Sequence, residues 1–332
     1  MKTVIITGAN VGIGYATATL LAAQPDWHVL LACRNESKAE AAIDAIRRRH
    51  RHSQLSFVPL DLFSFASVRR FAAIVSKMAN PLLGGLILNA GGINMSAKSP
   101  VFTEDGFEQT FQLNFLGHFL LANLLVGHMN AGARIIFVSS DLHDPAATKM
   151  GKIMAPKFGP MEDMAFAKGT AAKLRPMARY ATAKLCAMMA AYELDRRLRG
   201  ADKPITVNSW SPGVVPTTQA GRHMSPVMKR IITSSWFVSF MGSHLSTEEG
   251  AAQALGDLLI SPRYSGVTGK YFDGFNEIPS SVESRDAAKA RQVWEQAQVL
   301  AGLPVEDPRS VPLNYLALSQ RYNMPTQERE RL

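Results

Sequence analysis

The sequence predicts an α/β protein built on a doubly wound parallel sheet. Short apolar runs alternate with segments of helical period through the first two thirds of the 332 residues, which is the pattern of strands joined by crossover helices. A glycine-rich turn directly follows the first apolar run. Hydrophobic residues make up 47% of the chain and charged residues 19%, a composition that argues against disorder and favours a sizeable core.

The strand-like runs are short, mostly aliphatic and bounded by polar or turn residues. They are TVIIT (3–7), HVLLAC (28–33), LSFVPL (55–60), GLILN (85–89), RIIFVS (134–139), PITVNSW (204–210) and a shorter GKYFD (269–273). Between them, helical periodicity predicts helices near residues 12–24, 36–50, 64–79, 103–128, 177–199, 246–260 and 284–300. Strands that alternate with helices in this way pair in parallel.

Two long connections interrupt the alternation. Residues 141–176 and 214–245 are far longer than ordinary strand-to-helix loops. Both leave the carboxyl edge of the sheet, where open α/β folds bind ligands, so we expect a substrate-binding insertion and a substrate lid. The expected organisation is one domain over residues 1–303 and a polar, proline-broken tail over residues 304–332.

The net charge of +9 raises the possibility of nucleic-acid binding. Its densest run, RRRHRH (47–52), ends a predicted helix and contains no aromatic residue on which a base could stack. We therefore interpret the run as solvated surface and expect no nucleic-acid partner. Cys33 and Cys186 lie in apolar segments far apart in the sequence, which indicates buried thiols rather than a disulfide or a metal site.

The chain begins MKTVIITG, which leaves no room for a signal peptide before the first strand, and a cytoplasmic location is expected. No apolar run is long enough to predict a spanning helix. Residues 228–241 (MKRIITSSWFVSFM) are apolar and flanked by basic residues. They predict either a lid helix packed on a ligand or a peripheral membrane contact.

The turn after the first strand reads TGANVGIG and opens a helix. Gly8, Gly12 and Gly14, with Asn10 and Ile13 of the same turn, could let backbone amides approach a pyrophosphate at the helix N-terminus. The alternative is a turn that only needs residues tolerant of positive φ. The strand–turn–helix context favours a dinucleotide site.

Arg34 and Lys38 follow the second strand, where an NAD site usually has an acidic residue for the ribose hydroxyls. A guanidinium can instead hold a 2′-phosphate through paired hydrogen bonds, so NADP(H) is the predicted cofactor. The alternative is a solvated charge at a strand end. After the next two strands come Asp61 and Leu62, expected at the adenine, and Asn89-Ala90-Gly91, expected at the adenosine ribose.

Tyr180 and Lys184 are four residues apart in a helical pattern, so they share one face. A nearby cation favours the phenolate and is expected to lower the pKa of Tyr180, which suits an acid/base group. Ser140, at the end of the fifth strand, could donate a hydrogen bond to a developing oxyanion. Asn114, on an apolar helix, could hold a water that links it to the lysine.

Taken in order, the motifs TGxxxGIG, DL, NAG, an Asn on the fourth helix, VSS, YxxxK and PG resemble the short-chain dehydrogenase/reductase family over roughly residues 1–275. The resemblance implies a Rossmann-like sheet of about seven strands. It implies that Tyr180 is the acid/base and that Lys184 binds the nicotinamide ribose. It also implies that Ser140 contacts the substrate oxygen, that Asn114 keeps a proton-relay water, and that the nicotinamide contacts are Pro212, Gly213 and Thr217.

Within the family, ACRNESKAEAA, VFTEDGFEQTFQLNFLGHFLL and DAAKARQVWEQAQVLAGL resemble the branch of light-dependent protochlorophyllide reductases and retinol-type dehydrogenases. Val214 and Ser140 stand where the photoenzymes usually carry cysteine and threonine. We therefore expect dark carbonyl/alcohol chemistry on a bulky hydrophobic substrate. A C=C reductase of protochlorophyllide type and a non-catalytic NADP-sensing protein are the alternatives, and the chain is expected to be a monomer or a homodimer.

The methionines of the 141–176 segment permit two interpretations. Met150, Met154, Met161 and Met164 could line an adaptable apolar pocket or fill gaps in the core. His118, His143 and His244 show no ligand spacing, so we interpret them as packing or surface residues.

Overall fold

The computed structural model describes residues 1–78, 83–146, 154–201, 204–213, 215, 234 and 246–304. Thr217, Val214 and nearly all of the predicted lid, including 228–233 and 235–241, lie outside these residues, as does the tail from residue 305 onward. So do Met150 and His244.

A single mixed sheet forms the centre of the described chain, in the order β3-β2-β1-β4-β5-β6-β7-β8. All neighbouring strands are parallel except β7 and β8, which are antiparallel. The strands are β1 Lys2–Thr7, β2 Trp27–Cys33, β3 Gln54–Pro59, β4 Leu83–Leu88, β5 Met129–Val138, β6 Thr206–Ser211, β7 Tyr271–Asp273 and β8 Asn276–Ile278. The predicted doubly wound, Rossmann-like fold is confirmed.

The helices are α1 Gly12–Ala22, α2 Glu36–Arg49, α3 Phe65–Lys77, α4 Gln109–His128, α5 Met161–Ala165, α6 Pro176–Gly200, α7 Glu248–Ile260 and α8 Ala287–Leu300. Single 3-10 turns include Asp141–His143, directly after β5, and Glu283–Arg285, before α8. Polar caps set several helix starts: Ser64 accepts from the Ser67 amide, and Thr247 accepts from the Gly250 amide.

Two hydrophobic cores lie on opposite faces of the sheet. Alternation along β1 shows why: Ile5 packs with α3, α4, α6 and α8, whereas Val4 and Ile6 pack with α1, α2 and α7. The first core includes Trp294 of α8, whose ring meets that of Phe119 edge-on at a centroid distance of 4.8 Å. Both faces of the sheet are therefore covered, as the near-continuous apolar strands require.

Three expectations about elements need correction. The described sheet has eight strands rather than about seven, because the short and exposed β8 lacks an apolar pattern. Helix α4 begins at Gln109 instead of residue 103, since the Thr103 amide donates to the Phe107 carbonyl in a tight turn and Glu108 caps the helix. Strand β5 begins at Met129, five residues earlier than expected, where it pairs with Leu83.

Helix α4 is the one described segment that is long and apolar enough to cross a membrane. Its most apolar window is 89% buried inside the protein. The apolar character of α4 thus reflects packing between the sheet and its neighbouring helices.

Candidate active site

The predicted site residues lie at one edge of the sheet. Strand order reverses at β1, whose neighbours are β2 and β4, so the carboxyl ends of β1 and β4 border a crevice. The residues that follow successive strands line this edge: 8–14 after β1, 34–38 after β2, 61–62 after β3, 89–91 after β4, 140 after β5, and 212–213 after β6.

The glycine turn after β1 has a backbone that a ligand could approach closely. Gly8 and Gly12 have φ values of +68° and +59°, which L side chains rarely adopt. A Cβ on Gly14 would lie 2.5 Å from the Gly8 carbonyl oxygen. The N-cap of α1 is Val11, whose side chain cannot cap the first amides of α1. Asn10 is half-buried in this turn, and Ile13 is buried beneath it.

A polar link that the sequence did not reveal joins β1 to β4 behind this turn. The hydroxyl oxygen of buried Thr7 accepts from the Ala90 amide at 2.8 Å and lies 3.0 Å from Nε2 of His118. The side-chain amide Nδ2 of Asn89 donates to the Thr7 carbonyl at 2.8 Å. Burial and the nearby charge of Lys184 lower the pKa of His118 to about 3. The available signal was Thr7 itself, a polar residue directly after the apolar run of β1.

The cations after β2 remain exposed. The guanidinium carbon of Arg34 lies 5.5 Å from the centroid of the Phe63 ring, a residue that the motifs did not single out. Lys38 lies in the first turn of α2, and its amide donates to the Asn35 side chain. Asp61 accepts from the Phe63 amide at 3.0 Å, and the Leu62 side chain is buried.

Lys184 connects α6 to β5 in the interior. Its side chain is 2% exposed, and Nζ donates to the Val138 carbonyl at 2.7 Å. The ammonium lies 5.6 Å from the centroid of the Tyr180 ring, one helical turn away. Burial lowers the pKa of Lys184 to about 8. The predicted shared face of Tyr180 and Lys184 is present.

The expected effect of Lys184 on Tyr180 is wrong for this structure. Burial raises the pKa of Tyr180, and the charge of Asp141 raises it further, while a hydrogen bond with Ser140 lowers it. Desolvation therefore sets the direction of the shift. The phenol of Tyr180 is protonated at neutral pH.

Asn114 lies in a π-helical segment of α4, Gln112–Leu116. Its side-chain amide donates to the carbonyls of Gly92, at 2.9 Å, and Thr110, at 2.8 Å, and its Oδ1 accepts from the Gly92 amide at 3.1 Å. A Cβ on Gly91 would lie 2.7 Å from this Oδ1 and 3.4 Å from Lys184 Nζ. Asn114, Gly91 and Lys184 are thus adjacent. The expected relay water stays a prediction.

Ser140 caps the 3-10 turn after β5. Its hydroxyl donates to Asp141 Oδ1 at 3.1 Å and accepts from the Leu142 amide at 3.3 Å. Nδ1 of His143 lies 2.6 Å from the Ser140 carbonyl, and Nε2 accepts from the Ser281 amide at 3.2 Å. His143 is therefore a buried packing residue, as expected, that ties the Ser140 loop to the segment before α8.

The remaining predicted residues divide between the site and the core. Gly213, next to Pro212, has a φ of +69° and donates to the Ser211 hydroxyl at 3.4 Å. Met161 and Met164 are 2% and 6% exposed and belong to the main core. For these two methionines the core interpretation is correct and the pocket interpretation is wrong.

Comparison with known proteins identifies the family. Residues 2–162 match the family model described as short chain dehydrogenase. The chain is 35% identical over 315 residues to retinol dehydrogenase 13 of Homo sapiens, an alignment that covers 94% of this chain and 88% of the relative. This chain belongs to the short-chain dehydrogenase/reductase family. Its members are oxidoreductases that use a nicotinamide cofactor.

Two further similarities place the chain within this family. Protochlorophyllide reductase B of Oryza sativa subsp. japonica is 31% identical over 328 residues, with 92% of this chain and 78% of the relative covered. A crystal structure of an uncharacterized protein from Mycobacterium paratuberculosis superposes with a TM-score of 0.68 at 27% identity, covering 92% of this chain and 96% of the other. The expected resemblance to the retinol-type and protochlorophyllide branch is confirmed.

Proposed function

We propose that this family member is an NADP(H)-dependent oxidoreductase that interconverts a carbonyl and an alcohol on a bulky hydrophobic substrate. The observation that carries the proposal is the contiguity of the glycine turn, Asn114, Lys184 and Tyr180 at one crevice. Gly91 shows this contiguity: a methyl group there would lie 2.7 Å from Asn114 Oδ1, which is too close, and in van der Waals contact with Lys184 Nζ at 3.4 Å.

The residues of the crevice fit a dinucleotide. Gly8 and Gly12 allow the positive-φ turn, Gly14 lets α1 pack closely against it, and the amides at the start of α1, which Val11 does not cap, suit a pyrophosphate. Arg34 directly follows β2 and is exposed, with its guanidinium 5.5 Å from the centroid of the Phe63 ring, and at this place a guanidinium can bind a 2′-phosphate. When bound, the nicotinamide would supply or accept the hydride.

The chain's own groups would handle the proton and the substrate oxygen. Tyr180 would give its phenolic proton to that oxygen in reduction and take a proton from it in oxidation. Ser140 would donate a hydrogen bond to the same oxygen. Lys184, held by Val138, would bind the nicotinamide ribose and place positive charge beside the phenolate that forms. We infer nicotinamide contacts at Pro212, Gly213 and Thr217.

The substrate class follows from the names of the relatives. Retinol and protochlorophyllide are both large, apolar and conjugated, and both name proteins that align over more than nine tenths of this chain. We propose a substrate of comparable size that carries a carbonyl or an alcohol. The cytoplasmic location, the membrane contact through 228–241 and the choice between monomer and homodimer stay predictions.

The decisive test replaces Tyr180 by phenylalanine. Turnover of retinaldehyde with NADPH should fall by about 10²-fold or more, because the acid/base group is gone, while NADPH affinity measured by calorimetry stays close to wild type. Tyr192→Phe is the matched control: Tyr192 lies on the same helix, and its hydroxyl pairs with Ser280. If Tyr180→Phe retains most turnover, the proposed role of Tyr180 is wrong.

A second candidate is favoured by the protochlorophyllide reductase similarity. A C=C reductase of that type would convert protochlorophyllide with NADPH only under illumination, so assays in the dark and in light separate the two functions. A non-catalytic NADP-sensing protein would bind NADPH and turn over no member of a panel of apolar aldehydes and ketones.

A further inference from the structure

The ring of His143 makes two hydrogen bonds that determine where its proton lies. The backbone amide of Ser281 donates to Nε2 at 3.2 Å. Because a backbone amide is a donor, Nε2 must carry a lone pair, and the proton of the neutral ring lies on Nδ1. Nδ1 is 2.6 Å from the carbonyl oxygen of Ser140, to which it donates. Both ring nitrogens are thus satisfied by one neutral tautomer, and burial, which lowers the pKa of His143, favours the neutral ring.

The surroundings of His143 hold the ring in this orientation. The side chain is buried, and its ring packs edge-on against that of Tyr271 at a centroid distance of 5.0 Å. The amide of Ser281 is fixed as well, because Ser281 and Ser284 are both buried in a tight turn. The Ser284 amide donates to Ser281 Oγ at 3.2 Å, and Ser284 Oγ lies 2.8 Å from the Ser281 carbonyl oxygen. The segment before α8 is therefore a rigid anchor for the ring.

The same ring fixes the backbone of Ser140. The Ser140 carbonyl accepts from Nδ1 of His143 and, at 3.2 Å, from the backbone amide of His143. Before Ser140, the Ser139 amide donates to the Trp210 carbonyl of β6 at 2.7 Å. The backbone is thus held on both sides of Ser140, which sets the direction in which its side chain leaves the chain. Without the ring donor, the Ser140 carbonyl would keep the longer of its two bonds from His143.

We propose that His143, as the Nδ1–H tautomer, is a positioning residue that orients Ser140 toward the substrate oxygen. This inference rests on the proposed function, in which the Ser140 hydroxyl donates a hydrogen bond to that oxygen. Such a donor stabilises the oxyanion strongly only at the right distance and angle, so a small displacement is costly. His143 exchanges no proton with the substrate and acts through the Ser140 backbone. It makes the segment before α8 part of the support of the active site.

Two substitutions separate the ring donor from the bulk of the ring. In His143→Asn, Nδ2 can take the place of Nδ1–H, but the packing on Tyr271 is lost. In His143→Gln, the side chain is longer and its Oε1 can accept from the Ser281 amide, but it has no donor at the place of Nδ1. For retinaldehyde with NADPH, kcat should fall about 10- to 100-fold in His143→Gln and by less than about threefold in His143→Asn. Equal kcat values, or a faster His143→Gln, overturn the proposal, since bulk alone would favour glutamine.

A double-mutant cycle with Ser140→Ala tests whether His143 acts through Ser140. Alanine keeps the backbone carbonyl that His143 holds and removes the hydroxyl. If His143 only orients that hydroxyl, His143→Gln should change kcat by less than about twofold in the Ser140→Ala background. The loss that His143→Gln causes in the wild-type background should thus disappear. An equal fold-loss in both backgrounds indicates general damage to the site and overturns the proposal.

A third readout needs no turnover. Long-range 1H–15N spectra of protein with 15N-labelled histidine report the tautomer of each ring, and the His143→Asn variant identifies the signals of His143. At neutral pH the Nδ1–H tautomer should be present, whereas the Nε2–H tautomer or an imidazolium overturns the proposal. If the wild type turns over neither retinaldehyde nor retinol, the proposed function fails. The spectrum then still tests the hydrogen bonds from His143 to Ser140 and Ser281: the Nδ1–H tautomer supports them, and the other forms refute them.

Discussion

Replacing Gly14 by alanine tests the glycine cradle at its tightest point. The new Cβ would lie 2.5 Å from the carbonyl oxygen of Gly8, 3.1 Å from the Gly8 carbonyl carbon and 2.6 Å from Nδ2 of Asn89. Two of these atoms belong to the backbone, so no rotamer change relieves the overlap. The Asn89 amide is itself tied to the Thr7 carbonyl.

The size of the effect follows from this overlap. Ordinary van der Waals contact begins at 3.4 Å, so the turn must open by nearly 1 Å at Gly8. Overpacking of this kind costs about 1–3 kcal/mol. The strain falls on the turn that would hold the pyrophosphate, so it should weaken cofactor binding by much of this free energy. The corresponding rise in the Kd for NADPH is about 5- to 150-fold.

The assay is calorimetric titration of NADPH, with circular dichroism to show that the variant is folded. Gly200→Ala is the matched control, since Gly200 ends α6 and a Cβ there meets nothing within 4 Å. Its Kd should equal that of the wild type. A folded Gly14→Ala variant that binds NADPH as tightly as wild type would refute the assignment of this turn to the cofactor.

Three other variants probe the site and its support. Arg34→Ser should weaken NADPH binding about 10- to 100-fold, with NADH affinity almost unaffected, because the charged hydrogen bonds to the 2′-phosphate are lost. Lys184→Met should raise the free energy of unfolding at pH 7 by about 1–3 kcal/mol while abolishing turnover, because it removes a buried charge. That gain should shrink as pH rises from about 8 toward the ordinary lysine value of 10.5, since the unfolded chain no longer binds the extra proton. Trp294→Ala, which empties the site against Phe119, should lower the unfolding free energy by about 3–5 kcal/mol in urea titrations.

Local patterns were sufficient to predict most of the fold. The observed bounds of the all-apolar β4 and the amphipathic α3 are within a few residues of the predicted bounds. In each element the spacing of the apolar residues matches the positions that are buried. Strand β8 was missed because its three residues are exposed and pair only with β7. The start of α4 was missed because a tight turn and a Glu108 cap decide it.

The site was predictable where a residue type has a function at a fixed position after a strand. Ser140 is such a residue after β5, whereas Tyr180 and Lys184 were recognisable by their spacing of one helical turn on α6. What could not be read from the sequence depends on three-dimensional surroundings: the contact of Arg34 with the Phe63 ring and the contact of Asp141 with Ser140. The direction of the pKa shift of Tyr180 depends on its burial, and the spacing between Tyr180 and Lys184 carries no information on burial.

The most direct test of the proposed chemistry is to follow the hydride. NADPH with deuterium in both C4 positions is incubated with retinaldehyde and the protein, and the alcohol is analysed by mass spectrometry. The proposed function predicts one deuterium on the carbinol carbon of the product, and none of this product with Tyr180→Phe. An alcohol without deuterium, or deuterium on a carbon of a reduced C=C bond instead, would contradict it.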